Sequence, residues 1–193
     1  MSDFPEAGVL YLPHAVGTEA EPSALETEIV ALFDELRSPM LRYLLTFRLP
    51  APDCEEVVQE AFLALFCHLR RGRSRQNLQG WLFRVAHNLA LKRMQRTRKD
   101  AVPIDVADDE CPAVDPALNP EDAFARDQSY RRLQAVIQAL PQQDRQCLAL
   151  RVEGLRYREI AEVLDISLGS VAKSLERSLA RITRAAQSGG QLG

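Results

Sequence analysis

The sequence lacks several things whose absence narrows what the protein can be. No apolar run approaches the roughly 20 residues that a membrane-spanning helix needs, so no membrane insertion is expected. The chain does not open on a basic cluster with an apolar stretch behind it. Asp3 and Glu6 stand there instead, which argues against a secretory signal and places the protein in the cytoplasm. Four cysteines (Cys54, Cys67, Cys111 and Cys147) stand far apart, and none forms a C-x-x-C pair. No histidine pair has zinc-ligand spacing either. Free thiols are therefore expected, a disulfide scaffold is excluded, and no metal or other cofactor is expected. Glycine (9) and proline (11) are too few for a fibre or a wholly disordered chain of 193 residues. No alternating β pattern persists, and there is no internal repeat. What is present is ordinary for a globular protein, 46% hydrophobic and 26% charged, with length for one domain or two small ones.

Charge is distributed in blocks that the net value of −3 conceals. Residues 1–24 hold four acids and no Lys or Arg, whereas 25–99 hold 13 basic and 8 acidic residues. Residues 100–127 reverse this, with one basic and nine acidic residues, and 128–193 hold ten basic and six acidic. The sharpest asymmetry is 70–99, with ten Lys or Arg and no Asp or Glu before position 100. A solvated helix face usually mixes signs, so this block points to a polyanion partner despite a whole-chain pI of 5.7.

Helical spacing dominates the rest. Ser23-Ala-Leu-Glu26 is a capping box, and Leu25, Ile29, Leu32, Phe33 and Leu36 follow at i, i+3/i+4. Ser38-Pro39 predicts a break or kink. Asp53 is expected to cap a second helix carrying Val57, Val58, Ala61, Phe62, Leu65, Phe66 and Leu69. Gly72 to Gln76 reads as a basic loop, and Asn77 as the cap of a third helix with Leu78, Trp81, Leu82, Val85, Leu89 and Met94. Residues 100–118, acidic with Pro103, Pro112 and Pro116, read as a linker. Asn119-Pro120-Glu121-Asp122 signals another helix start. Pro141 opens a helix that Gly154 ends. A helix-turn-helix follows: Ile160, Ala161 and Leu164, a turn at Asp165-Ile166-Ser167, then Leu168, Val171, Leu175, Leu179 and Ile182. Asp165 occupies a place where glycine is common, and aspartate tolerates a left-handed backbone. The fold class expected is all-α, in two small helical domains.

Each chemical signal has a bland alternative. A helical hairpin need have no DNA role. This one is expected to expose Ser170, Lys173, Ser174, Arg177 and Arg181, which could contact phosphates or base edges in the major groove or be merely solvated. On the second helix Gln59 and Glu60 lie off the apolar stripe and are free for a partner. Trp81 within the basic block could stack on an unpaired base, though packing in the core is the simpler expectation. Asn88 carries an amide that can hydrogen-bond a base edge. His87 beside it is expected at the surface. No metal cluster, no Ser/His/Asp arrangement and no glycine-rich phosphate loop suggests an enzyme.

Three stretches occur in a telling order: Asp53-Cys-Glu-Glu-Val-Val-Gln-Glu-Ala-Phe62, then Asn77-Leu-Gln-Gly-Trp-Leu-Phe-Arg-Val-Ala-His-Asn-Leu-Ala90, then Leu140-Pro with Asp144-Arg, Tyr157-Arg-Glu-Ile-Ala-Glu-Val-Leu164 and Ser167-Leu-Gly-Ser-Val171. Across about 24–185 the chain resembles the extracytoplasmic-function sigma factors, the smallest bacterial transcription initiation factors. The resemblance implies a division into a tail (1–23), a region 2-like domain (24–99), the acidic linker (100–118), a region 4-like domain (119–186) and a C-terminal tail (187–193). Region 2 would dock on the β′ clamp helices of core RNA polymerase through Gln59 and Glu60, with Asp53 and Glu56 on the same helix. It would melt and hold the minus-ten promoter element with Asn88, which falls where the family captures a flipped base, and with Arg71, Arg73, Arg75, Arg84, Lys92 and Arg93. Region 4 would read the minus-thirty-five element through Ser170, Lys173, Ser174, Arg177 and Arg181 and touch the β flap. The linker would follow the RNA exit path. The resemblance also implies an anti-sigma factor as inhibitor. Departures stand out: Arg156 replaces the family's usual serine cap, Ala172 stands in the recognition helix where many members have a basic residue, and Glu176 adds a repulsive charge near phosphate. The alternative is a stand-alone helix-turn-helix regulator of duplex DNA.

Overall fold

The computed structural model describes residues 23–100 and 130–189, with side chains through 96 in the first stretch and 187 in the second. Among these residues there are helices and turns and no strand. The expected helix start at 119–122 and the linker at 100–118 lie outside the described residues, apart from Asp100.

Helix α1 (Ala24–Leu44) begins as its capping box dictates. The Glu26 carboxylate accepts the Ser23 N–H at 2.8 Å and the Ser23 hydroxyl accepts the Glu26 N–H at 3.3 Å. Of the break or kink expected at Pro39, the break does not occur; α1 runs through it. Proline removes one ladder bond, at a cost of about 3 kcal/mol in a helix interior. Here the face around it buries Leu36, Met40, Tyr43 and Leu44, and that burial outweighs the lost bond. A 3-10 turn (Leu45–Phe47) and a left-handed Arg48 (φ 56°) lead to α2 (Ala51–Arg70).

Helix α2 starts two residues before the expected cap. Pro50 takes the cap position, Pro52 sits in the first turn where its missing N–H needs no partner, and Asp53 lies inside the helix. Helix α3 (Leu78–Asp100) is capped as expected: the Asn77 side-chain oxygen accepts the Gly80 N–H at 3.1 Å. A Cβ on Gly80 would lie 2.5 Å from the Asn77 side chain, so the glycine makes room for the cap.

The second unit contains a helix described over 130–138 (α4), then α5 (Gln142–Val152), α6 (Tyr157–Leu164) and α7 (Leu168–Gly189). Gly154 (φ 90°) follows α5, and Asp165 between α6 and α7 is left-handed (φ 53°, ψ 49°), as the turn requires. The Ser167 hydroxyl accepts the Ser170 N–H at 3.1 Å and so caps α7.

The two units are packed together. Buried residues of α1–α3 and of α5–α7 form one continuous core, from Leu36 and Phe83 to Ile160 and Leu175. Arg42 forks onto the Glu153 carboxylate at 2.8 and 2.7 Å, and the Glu153 carbonyl accepts the Gln79 amide at 3.0 Å. Buried Arg145 donates twice to the Thr46 carbonyl (3.0 and 3.3 Å) and to the carbonyls of Gln138 and Leu140.

Candidate functional site

The packing of α3 on α2 sorts the expected binding residues onto distinct faces. Along α3, Arg84, Asn88 and Lys92 are all exposed. Their four-residue spacing puts them in one row. Arg71 and Arg73 are exposed on the loop before α3. That loop is tied down at several points. The Ser74 carbonyl lies 3.0 Å from His68 Nε2, the His68 and Trp81 rings are 4.7 Å apart, and Arg75 pairs with Glu28 on α1. Trp81 is half-buried, packed against the core and His68.

Arg93, expected among the DNA-facing cations, faces α2 instead. Its guanidinium lies 2.7 Å from Glu56, 2.6 Å from Glu60 and 3.4 Å from Asp53. Burial works against the Arg93 charge, but the carboxylates of Glu56 and Glu60 outweigh it and hold the group more firmly protonated than usual. Glu60 was expected to be free and is not. Gln59 and Glu60 are exposed as expected. Three of the four residues expected to meet polymerase thus converge on one arginine expected to meet DNA.

His87 was expected at the surface and is buried, 7% exposed. It sits on the stripe of Phe83, Ala86 and Ala90, and its Nδ1 is hydrogen-bonded with the Tyr43 hydroxyl at 2.7 Å. Burial lowers its pKa to about 4 and pushes the Tyr43 hydroxyl well above its ordinary value.

On α7, Lys173 and Arg181 are exposed, and Ser170 is half-buried at the cap. Ser174, expected to be exposed, is fully buried. Its hydroxyl accepts from the Gln143 amide and from Arg177, both at 3.3 Å. The reason is spacing: Val171, Ser174, Leu175 and Ser178 form the buried stripe that packs on α5. Arg177 forks onto buried Asp144 of α5 at 3.0 and 2.6 Å. The guanidinium holds the Asp144 carboxyl below its usual range. Arg156 does not replace the family's cap with its side chain; the Glu159 carboxylate accepts the Arg156 N–H at 2.6 Å.

No group of three or more His, Cys, Asp or Glu among the described residues could hold a metal ion. No described helix is long and apolar enough to cross a membrane. Cys54 and Cys147 are buried free thiols and Cys67 is half-buried; Cys111 lies outside the described residues. The arrangement leaves two charged faces of opposite sign, an arginine-bridged acidic one on α2 and a basic row on α3, beside a helix-turn-helix.

Comparison with known proteins agrees with this class. Residues 32–100 match the Sigma-70 region 2 family, and residues 130–182 match Sigma-70, region 4. The RNA polymerase sigma-H factor of Pseudomonas aeruginosa is 32% identical over 155 residues, covering 77% of this chain and 80% of that protein. The ECF RNA polymerase sigma factor SigE of Mycolicibacterium smegmatis is 37% identical over 146 residues, covering 70% of this chain and 53% of that longer protein. The ECF RNA polymerase sigma-E factor of Escherichia coli K12 is 29% identical, covering 83% and 85%. Among solved structures, the sigma factor RpoE bound to the anti-sigma factor NepR from Bartonella quintana shares the fold. Its TM-score is 0.56 at 19% identity, over 81% of this chain and 97% of that one. The structure of CnrH with the cytosolic domain of CnrY matches at TM-score 0.55 and 18% identity, over 84% and 89%. The chain belongs to the extracytoplasmic-function sigma factors, DNA-binding factors of transcription initiation.

Proposed function

We propose that this factor docks on the β′ clamp helices of core RNA polymerase through the α2 face of Gln59, Glu60, Glu56 and Asp53. The loop and α3 then open and hold the minus-ten element. Arg71, Arg73, Arg84 and Lys92 neutralise phosphates, Arg75 does so from its place beside Glu28, and Asn88 reads a base flipped from the stack. In this reading 24–99 serves docking and melting, 119–186 serves the minus-thirty-five element and the β flap, and the acidic segment 100–118 joins them. On α7, Lys173 and Arg181 make the phosphate contacts, Ser170 works at the helix start, and Arg177 acts from its place beside Asp144. The factor is no enzyme by itself, needs no cofactor, works in the cytoplasm, and is held in check by an anti-sigma factor. The observation that carries the reading is the exposed row Arg84–Asn88–Lys92, an amide flanked by cations one turn to either side on α3.

The test is gel filtration of the full chain with core polymerase at fixed salt, followed by run-off transcription. Co-elution and promoter-dependent transcripts are expected. A folded, inhibitor-free protein that binds duplex DNA but never co-elutes would overturn the reading in favour of a stand-alone regulator.

A further inference from the structure

Arg93 departs most from what the basic block suggests. It is surrounded by like-charged neighbours in sequence, yet its side chain is only 19% exposed and turned away from the Arg84–Asn88–Lys92 row. Its partners Asp53, Glu56 and Glu60 come from three successive turns of α2, where the i, i+3 and i+4 spacings put them on one side of the helix. Left alone, three adjacent carboxylates repel, and the two glutamates sample several rotamers. An arginine fork reaching from α3 limits that sampling and relieves the repulsion. It does not use up the carboxylates. Each has about four lone-pair sites, so acceptors remain for a basic partner. Glu56 and Glu60 stay open to water, at 60% and 49% exposure of their side chains, and pairs to such solvated carboxylates contribute little to folding stability.

We infer that Arg93 is a positioning residue for the polymerase-docking face, holding Glu56 and Glu60 in the arrangement that the polymerase meets, and not a promoter contact. The inference rests on the docking role given to α2 above. Ordering side chains before association removes part of the entropy cost of binding, so losing the fork should weaken association while leaving the DNA row in place.

The experiment titrates labelled full-length factor with core polymerase for the wild type, Arg93→Gln, Glu60→Gln, the double variant and Arg93→Lys, with thermal melts as a folding check. Promoter opening is then read at factor concentrations that saturate core. Arg93→Gln should raise the Kd for core about ten-fold. The double variant should show less than the sum of the two singles, because both remove the Arg93–Glu60 pair. Arg93→Lys should recover part of the loss, since a point charge can hold one carboxylate but not two. At saturation, opening should fall no further than core occupancy explains. Unchanged core affinity with a loss of opening at saturation would make Arg93 a DNA contact and overturn the inference. Tighter core binding, or strictly additive effects of the two single changes, would also overturn it. A wild-type factor that fails to bind core would instead sink the docking reading itself.

Discussion

His87 should make the stability of this factor fall in mild acid. The imidazole is 7% exposed, bonded to the Tyr43 hydroxyl, and edged by the Phe47 ring at 5.4 Å between centroids. Burial lowers its pKa from 6.5 to about 4. Unfolded, the same imidazole takes up a proton below 6.5, which the folded protein refuses until about 4. Stability is therefore whole above 6.5 and is lost as pH falls from there towards 4. With 1.36 kcal/mol per pH unit, the loss between about pH 7.5 and about pH 5 is about 2 kcal/mol. The Asp144 carboxyl, held below its ordinary range chiefly by Arg177, titrates lower and does not mask this. The assay is urea denaturation across that range for the wild type and for His87→Gln, which keeps a polar partner for Tyr43 and cannot titrate. The wild-type curve should drop towards acid relative to the variant by about that amount. Parallel pH profiles for the two proteins would refute the reasoning.

Three other expectations follow from named contacts. Arg145→Ala strips the buried carbonyls of Thr46 and Leu140 of their donor and should cost about 1–3 kcal/mol in thermal or chemical unfolding; an unshifted midpoint would count against it. Asp165→Val forces a β-branched residue to φ 53° and should destabilise by about 1–2 kcal/mol, whereas Asp165→Gly should be neutral or slightly stabilising. Asn88→Ala should slow promoter opening, read by permanganate reactivity of the melted strand, with core affinity nearly unchanged; equal loss of both would remove the base-reading role.

Local rules read well wherever the deciding contact is local. The Ser23 and Asn77 caps, the Asp165 turn and the Ser167 cap each involve partners within four residues, and all are where the spacing put them. A helix break at Pro39 and a cap at Asp53 are not what forms, because a proline or cap rule weighs one bond, whereas a helix end is also set by the area it buries. Ser174 and His87 were misread by residue type; their spacing from Val171 and Phe83 already placed them on buried stripes. Arg93 meeting Asp53, Glu56 and Glu60, or Arg145 meeting Thr46, required the packing of helices 33 to 99 residues apart, and no pattern in the chain states it.

The Arg177–Asp144 fork bears on how the recognition helix answers to salt. Binding to DNA releases one condensed counterion for roughly each phosphate that an unneutralised cation takes over. Arg177 comes to the duplex with a carboxylate already beside it, so it adds little to that release. The exposed Glu176 subtracts from it. In the proposed complex the ionic-strength dependence contributed by α7 therefore comes chiefly from Lys173 and Arg181, about two phosphates' worth. Such a helix holds its site with little sensitivity to the salt of the cell, and leaves most of the electrostatic steering to the cations of the loop and α3.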